Sequence, residues 1–252
     1  MSTATLTAPA RDRDARPGLV RLTVVELRKM TDTRSGFWLL LTTALLTAAA
    51  VVLFAIFGES DEHTLTDFFG LALAAPSILM PITGILLVTS EWSQRTAMLT
   101  FALVPERSRV LWAKLAASVV LSVAALQIAL AVAVVGTAVV GGEWSLPAWM
   151  LGQSAISVAT GMISGVAFGA MLLAPAPAIV LFFALPAAWG ALSSFAFLEG
   201  AGRWLDGSRS LSPLTEELMS TTQWARAGTT LAVWMLLPLL IGFWRITRGG
   251  VR

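Results

Sequence analysis

A run of 55 consecutive residues, 144–198, contains no Asp, Glu, Lys, Arg or His, and it constrains the fold more than any other feature. As a single helix it would be about 80 Å long at roughly 1.5 Å per residue, over twice the apolar thickness of a bilayer. The run must therefore fold back on itself inside a membrane. The whole chain is 56% hydrophobic and 13% charged, whereas soluble proteins are roughly 25% charged. These features predict an all-α integral membrane protein.

The charge-free runs predict six transmembrane helices. Within the longest run, Pro175 and Pro177 mark a break, because a proline inside a helix removes a hydrogen bond and clashes with the preceding turn. Six spans of about 20 residues occupy so much of the chain that no separate soluble catalytic domain fits. We place the spans at residues 37–57, 68–90, 115–139, 148–173, 178–198 and 227–244.

The first 34 residues predict a tail and a surface helix. Residues 1–17 are rich in Ala, Thr, Arg and Asp and predict a disordered cytoplasmic tail, so that residues 18–252 form a single six-helix membrane domain. Residues 18–34 predict an amphipathic interfacial helix that lies on the membrane before the first span. Its apolar face would carry Val20, Val24, Leu27 and Met30.

The basic residues predict an orientation, since positive charge collects in cytoplasmic segments. With the N-terminus inside, 14 of the 17 Lys and Arg residues but only 6 of the 15 Asp and Glu residues are cytoplasmic. The net charge is then +8 inside and −6 outside. We expect a multi-pass protein of the plasma membrane with both termini in the cytoplasm.

The residue content argues against several function classes. The chain has no cysteine, and His63 is its only histidine, so no catalytic residue and no metal ligand is assigned. The two lysines, Lys29 and Lys114, follow Arg28 and Ala113, so neither fits the Gly-Lys-Ser/Thr end of a phosphate-binding loop. We expect no cofactor in this chain and no enzyme activity of its own. The predicted spans lack ionisable residues, which disfavours an ion-coupled carrier.

The loop after the second span, residues 90–114, has the most specific sequence. Residues 95–104 predict a short helix rich in apolar side chains, Pro105 ends it, and a basic cluster follows. A partner protein would cover such a helix. Alternatively, the segment is re-entrant or lies on the membrane surface, anchored by its positive charges.

This loop resembles the membrane subunits of type-2 ATP-binding-cassette (ABC) exporters, and actinobacterial members look most similar. The resemblance extends to the span count, the order of the loops, the sequence Glu26-Leu27-Arg28-Lys29-Met30 before the first span, and the Ser-Pro-Leu sequence at 212–214. Arg95 is a departure, because many members have Gly before the Thr. In that family the loop after the second span is a coupling helix that sits in a groove of the ATPase.

The resemblance implies which residues lie at or near the coupling element. For each charged residue, the alternative is a solvated anchor at the membrane surface. The implied set is Glu91, Arg95, Thr96, Met98, Phe101, Leu103, Pro105, Arg107, Arg109 and Lys114.

Small and hydroxylated residues within the spans give two further candidate sets. Gly161, Gly165 and Gly169 recur on one face of the fourth span and allow another helix to approach closely, either within the chain or, less favoured, across a dimer. Residues that could line a substrate path, or equally bond to their own helix backbone, are Thr42, Thr43, Thr47, Phe182, Phe183, Ser193 and Ser194.

By this resemblance the chain would be the permease subunit of an ATP-driven exporter of a lipophilic compound, drug, antibiotic or lipid. Its partners would be two copies of a separate ABC ATPase, which carry ATP and Mg, a second permease copy in a homodimer or heterodimer, and the lipid bilayer; no nucleic acid is expected. The alternatives are a non-transport membrane anchor or sensor-associated subunit, and a secondary carrier.

Overall fold

The computed structural model describes residues 18–59, 63–93 and 107–248. The predicted tail, the predicted coupling helix and residues 60–62 before the second span lie outside these residues. The described chain is helical apart from its turns and connections, with one isolated bridge between Thr64 and Glu143.

Six helices in the described residues are long and apolar enough to cross a membrane, which confirms the predicted number. We call them the first to sixth spans, and the second and sixth are each interrupted once. They are Arg34–Phe57, Leu65–Ser93, Arg107–Val140, Ala148–Leu172, Pro175–Leu192 and Thr221–Arg248.

The remaining helices lie at the two ends of the bundle. The N-terminal helix, Leu19–Asp32, defines what we call the near end. The far end carries a short turn of 3₁₀ helix, Ala196–Leu198, followed by the helices Glu199–Leu205, Gly207–Leu211 and Pro213–Glu216.

Most observed boundaries differ from the predicted ones by several residues, and the fifth span ends at Leu192 rather than at residue 198. Two of the differences have a clear physical reason. The fifth span begins at Pro175 rather than at residue 178, because proline is accommodated in the first turn of a helix. The third span begins at Arg107 and has 34 residues, so it is about 51 Å long and exceeds the roughly 30 Å apolar layer of a bilayer. Lys114 therefore lies two turns inside this helix rather than at its entrance.

The prolines of the second span interrupt its helical hydrogen bonding. The span consists of Leu65–Ala72 and Ala74–Ser93, and Leu73 lies at the break. Pro76 has no N–H to donate to the Ala72 carbonyl four residues earlier. The Thr47 hydroxyl of the first span donates to that carbonyl instead, at 3.4 Å. A predicted substrate-path residue is therefore engaged in joining the first span to the break in the second.

The second and fourth spans form the centre of the bundle. About half of their apolar window is buried, 56% and 50%, against 6–22% for the other four spans. Glycine makes their contact possible, since a Cβ added at Gly165 would overlap the Pro81 carbonyl and one added at Gly84 would overlap the Met162 carbonyl. Gly169 similarly lies against Ile85. The predicted glycine face thus packs within the chain, backbone against backbone.

This contact predicts opposite outcomes for two glycines on the same helix. We expect Gly165→Ala to lower the free energy of unfolding by about 1–3 kcal/mol, because the two backbones must separate to admit the methyl group. Gly161→Ala is the matched control, since its Cβ would lie 3.6 Å from the Pro81 ring, an ordinary contact. Thermal unfolding of the purified protein in detergent measures both. Equal stabilities would show that the second and fourth spans are not in backbone contact.

Candidate functional site

Four buried or half-buried charges meet at the near end of the bundle. Glu26 and Lys29 come from the N-terminal helix, Glu91 from the last turn of the second span and Lys114 from the third span. We call these four residues the ionic cluster. It contains two acids and two bases, so its formal charge is zero, and it contains both lysines of the chain.

Each ammonium group of the ionic cluster bridges both carboxylates. The Lys114 Nζ lies 2.6 Å from Glu26 Oε2 and 3.0 Å from Glu91 Oε1. The Lys29 Nζ lies 2.7 Å from Glu26 Oε1 and 2.6 Å from Glu91 Oε1. The four groups form a closed ring, so displacement of any one side chain breaks two ion pairs.

Lys114 is the central cation of this ring. Its side chain is 5% exposed, and its third ammonium proton is donated to the Leu87 carbonyl at 2.8 Å. All three donors of the ammonium group are therefore used. A buried charge is costly unless it is paired and hydrogen-bonded, and this geometry meets both conditions.

Lys29 lies at the edge of the ionic cluster. Its side chain is 36% exposed. Burial by itself lowers the pKa of Lys29, but the Glu26 and Glu91 carboxylates more than offset this and raise the pKa above its ordinary value of 10.5. A base with a raised pKa stabilises the folded state at all pH values below its ordinary pKa, and that stabilisation is lost as the pH rises through the raised value. The Lys29 ammonium is therefore charged at neutral pH.

The N-terminal helix carries its two cluster residues on the face that contacts the bundle. Glu26 and Met30 are buried one turn apart, and Leu27 is half-buried beside them. Of the predicted apolar face, Met30 is buried, whereas Val20 is 79% exposed and Val24 is 42% exposed. The helix is rotated so that Glu26 reaches Lys114, which leaves the two valines on the outer surface.

The structure brings some predicted coupling residues together and places others apart. Glu91 and Lys114 are in the ionic cluster, and the Arg107 guanidinium donates to the Ile246 carbonyl of the sixth span at 3.1 Å. Arg109 lies in the first turn of the third span. The predicted residues outside the described chain are Arg95, Thr96, Met98, Phe101, Leu103 and Pro105.

The ionic cluster is not predicted by the sequence. The prediction that the spans lack ionisable residues is wrong for the observed helices, because Glu91 and Lys114 lie within two of the six spans and are buried. The available signal was that the chain has two lysines and that each lies near a carboxylate at the same end of the predicted bundle.

A second feature is a cavity of about 640 Å³ in the far half of the bundle. The second, fourth, fifth and sixth spans and the short far-end helices line it. Phe168, Phe182 and Phe183 form an aromatic wall, with ring centroids 5.5 and 5.0 Å apart in edge-to-face pairs. Trp234 also lines the cavity, from the short π-helical stretch Ala232–Leu236.

Of the predicted substrate-path residues, Phe182 and Phe183 line this cavity. Three of the predicted hydroxyls instead bond to their own helix, Thr43 to the Leu39 carbonyl, Ser193 to Gly190 and Ser194 to Ala191. Thr47 is occupied by the Ala72 carbonyl, and Thr42 is exposed on the first span. Most of these hydroxyl groups therefore bond to their own helix backbone rather than line a substrate path.

The far-end helices are fastened over the cavity by buried polar side chains. Gln153 of the fourth span donates to the Glu217 carbonyl at 2.8 Å and accepts from the Met219 amide at 3.1 Å. Asp206 accepts from the Ser208 and Arg209 amides and so caps the helix Gly207–Leu211. The Trp234 indole donates to the Leu205 carbonyl at 2.8 Å. Sequence patterns gave no indication of Gln153.

The single histidine lies in an aromatic setting. The His63 ring packs against Phe54 and Phe68, with centroids 5.6 Å from each. Its carbonyl accepts from the Glu143 amide, which joins the segment before the second span to the segment after the third. The described residues contain no group of three acids or histidines that could hold a metal ion.

No protein-family model matches this sequence, and no curated protein matches it. The proposed function is therefore based on the ionic cluster and the cavity.

The cluster predicts unequal costs for removing its two cations. We expect Lys114→Met to lower the free energy of unfolding by about 3–5 kcal/mol, because it leaves two buried carboxylates short of a positive charge. Lys29→Met is the matched control and should cost clearly less, since Lys29 is at the exposed edge. Thermal unfolding in detergent at neutral pH measures the difference. If the two variants are equally stable, the ring does not exist as described.

Proposed function

We propose that this chain is the membrane subunit of an ATP-binding-cassette exporter, driven by a separate ATPase. The ionic cluster is the observation that best supports this proposal. It fastens the N-terminal helix to the last turn of the second span and to the start of the third, which are the two helices that flank residues 94–106. A loop with the sequence of a coupling helix thus leaves and re-enters the bundle beside a closed ring of ion pairs.

The cluster gives the loop a firm mechanical connection to the spans. A force on residues 94–106 acts on Ser93 and Arg107, where the second and third spans end and begin. Because Lys114 bonds to both Glu91 and the Leu87 carbonyl, the two helices move together at this end. The glycine contact then passes movement of the second span to the fourth. Movement at the near end thereby reaches the walls of the cavity.

The proposed orientation places the near end in the cytoplasm of a plasma-membrane protein. The absence of cysteine from the sequence makes single-cysteine variants clean probes. We expect Ser93→Cys to be labelled by an impermeant maleimide only from the cytoplasmic side, and Gly200→Cys only from outside. Both positions are exposed in the structure. Labelling of Ser93→Cys in intact cells would reverse the orientation and remove the proposed site of ATPase docking.

The proposed ATPase contact is tested through the loop between the second and third spans. Met98 and Phe101, which lie outside the described residues, are the predicted apolar anchors of that loop. Each fully buried anchor contributes about 1.5–3 kcal/mol, so we expect Met98→Ala with Phe101→Ala to weaken ATPase binding by about two to four orders of magnitude. Co-purification with a co-expressed ABC ATPase, and transport-coupled hydrolysis, are the measurements.

The matched control truncates two apolar residues that face away from the bundle. Val119 and Val120 are 44% and 48% exposed on the third span, and Val119→Ala with Val120→Ala should leave the ATPase complex intact. Normal assembly and coupled hydrolysis in the Met98/Phe101 variant would overturn the ATPase proposal. Specific ATP hydrolysis by the isolated chain would do the same.

A secondary carrier is the second candidate function. The observation in its favour is that two carboxylates are buried. Ionisable groups inside membrane helices often belong to proton pathways. In this chain, however, each ammonium bridges both carboxylates at one end of the bundle, and all three donors of Lys114 are occupied. This arrangement fits a structural fastening better than a proton relay. Transport by sealed vesicles with a pH gradient and without ATP would favour the carrier.

A further inference from the structure

The chemistry of the cavity indicates what kind of molecule fits it. Among the described residues, its lining contains no Asp, Glu, Lys, Arg or His. An ionic ligand would therefore have to leave water without gaining an opposite charge, which costs far more than apolar contacts return. The volume of about 640 Å³ lies within the range of small-molecule sites, roughly 300–1,000 Å³. A neutral and mostly apolar occupant is favoured.

The hydroxyl groups in the lining offer hydrogen-bond acceptors more than donors. Eight serine and threonine residues line the cavity. Five of them already donate their proton to a backbone carbonyl: Ser77, Thr160, Ser164, Thr215 and Thr230. A hydroxyl that donates in this way still has lone pairs that can accept.

Two prolines each leave one backbone carbonyl without its usual helical donor. Pro81 has no N–H for the Ser77 carbonyl, and Pro186 has none for the Phe182 carbonyl, each four residues earlier. All four of these residues line the cavity. Such carbonyls are tolerated within a membrane only where another donor reaches them or where they border a cavity.

We propose that this cavity binds a neutral, largely apolar molecule that carries a hydrogen-bond donor, such as a hydroxyl or an amine N–H. The site is built from a single chain and does not need the second copy. Its role as a substrate site rests on the proposed function, but ligand binding itself does not. Apolar contact with Phe182, Phe183 and Trp234 supplies affinity, and the acceptor groups select for the donor.

Three related fluorescent probes test the ligand chemistry. N-phenylnaphthylamine is neutral and carries one N–H, its N-methyl derivative lacks the donor, and anilinonaphthalene sulfonate is an anion. The purified chain, without any ATPase, is placed in lipid nanodiscs. The measured quantity is the saturable increase in probe fluorescence, after subtraction of the fluorescence in nanodiscs without protein. We expect the neutral donor probe to bind most tightly, its N-methyl derivative more weakly and the anion least. No saturable binding, or tightest binding of the anion, would overturn the proposal.

Two substitutions on the fourth span locate the site. Ser157→Phe fills the cavity and should weaken binding of the neutral donor probe at least tenfold. Ile156→Phe is the matched control, since Ile156 is 40% exposed on the outer surface and does not line the cavity. Equal binding by both variants would show that the probe binds elsewhere.

A substitution on the fifth span tests the acceptor. Pro186→Ala provides an N–H for the Phe182 carbonyl and should weaken binding of the donor probe by about three- to tenfold, the value of one neutral hydrogen bond. The N-methyl derivative should bind this variant and the unmodified chain equally, which shows that the cavity is intact. Pro177→Ala, in the first turn of the same span, is the control and should change neither probe. Equal loss of both probes in Pro186→Ala would refute the acceptor role.

A bilayer lipid and a free compound can share this chemistry, and competition separates them. Diacylglycerol is a neutral lipid with one free hydroxyl. Displacement of the donor probe by diacylglycerol in the nanodisc would identify the ligand class as membrane lipid. If the probe is retained in the presence of diacylglycerol, the ligand class is a compact free compound. Because these measurements use the chain alone, they succeed or fail independently of ATPase binding.

Discussion

The close approach of the second and fourth spans is the constraint on which the rest of the bundle depends. Gly84 and Gly165 leave no room for a side chain between the two helices, so these helices act as one body. The first, third, fifth and sixth spans are far less buried and lie around this pair. Relative movement within the bundle is therefore easiest among the outer spans. The cavity lies where the central pair meets the fifth and sixth spans, a place where such movement would change its shape.

The ionic cluster complements this central pair at the near end. Apolar packing holds two helices together without fixing their register, whereas a ring of four charges is satisfied in one arrangement only. Leu87 and Val88 pack directly beneath the ring, with Met30 from the N-terminal helix and Leu111 from the third span. The cluster thus sets the rotation of the N-terminal helix and explains why Val20 and Val24 face outward. The N-terminal helix is thereby fixed to two of the spans.

The amino-acid sequence predicted the local features of this fold better than the long-range ones. Pro175 and Pro177 revealed the division of the longest apolar run, and Gly161, Gly165 and Gly169 revealed a close helix contact, because both signals depend on neighbouring residues. The pairing of Glu26 with Lys114 joins positions 88 residues apart, and periodicity carries no information about such pairs. Hydroxyl groups were equally ambiguous. Thr43 and Thr160 each bond to a carbonyl of their own helix, yet only Thr160 of the two also lines the cavity.

The presence of both lysines in the ionic cluster has a consequence for chemical labelling. Apart from the N-terminus, every primary amine of the chain is in this one ring. An acylating reagent must reach the nitrogen atom, so the buried Lys114 side chain is protected and the Lys29 side chain, which is 36% exposed, is less so. The relative acylation of Lys114 and Lys29 therefore reports whether the N-terminal helix is seated on the bundle or detached from it. Mass spectrometry of the acylated chain would record that movement without any substitution in the sequence.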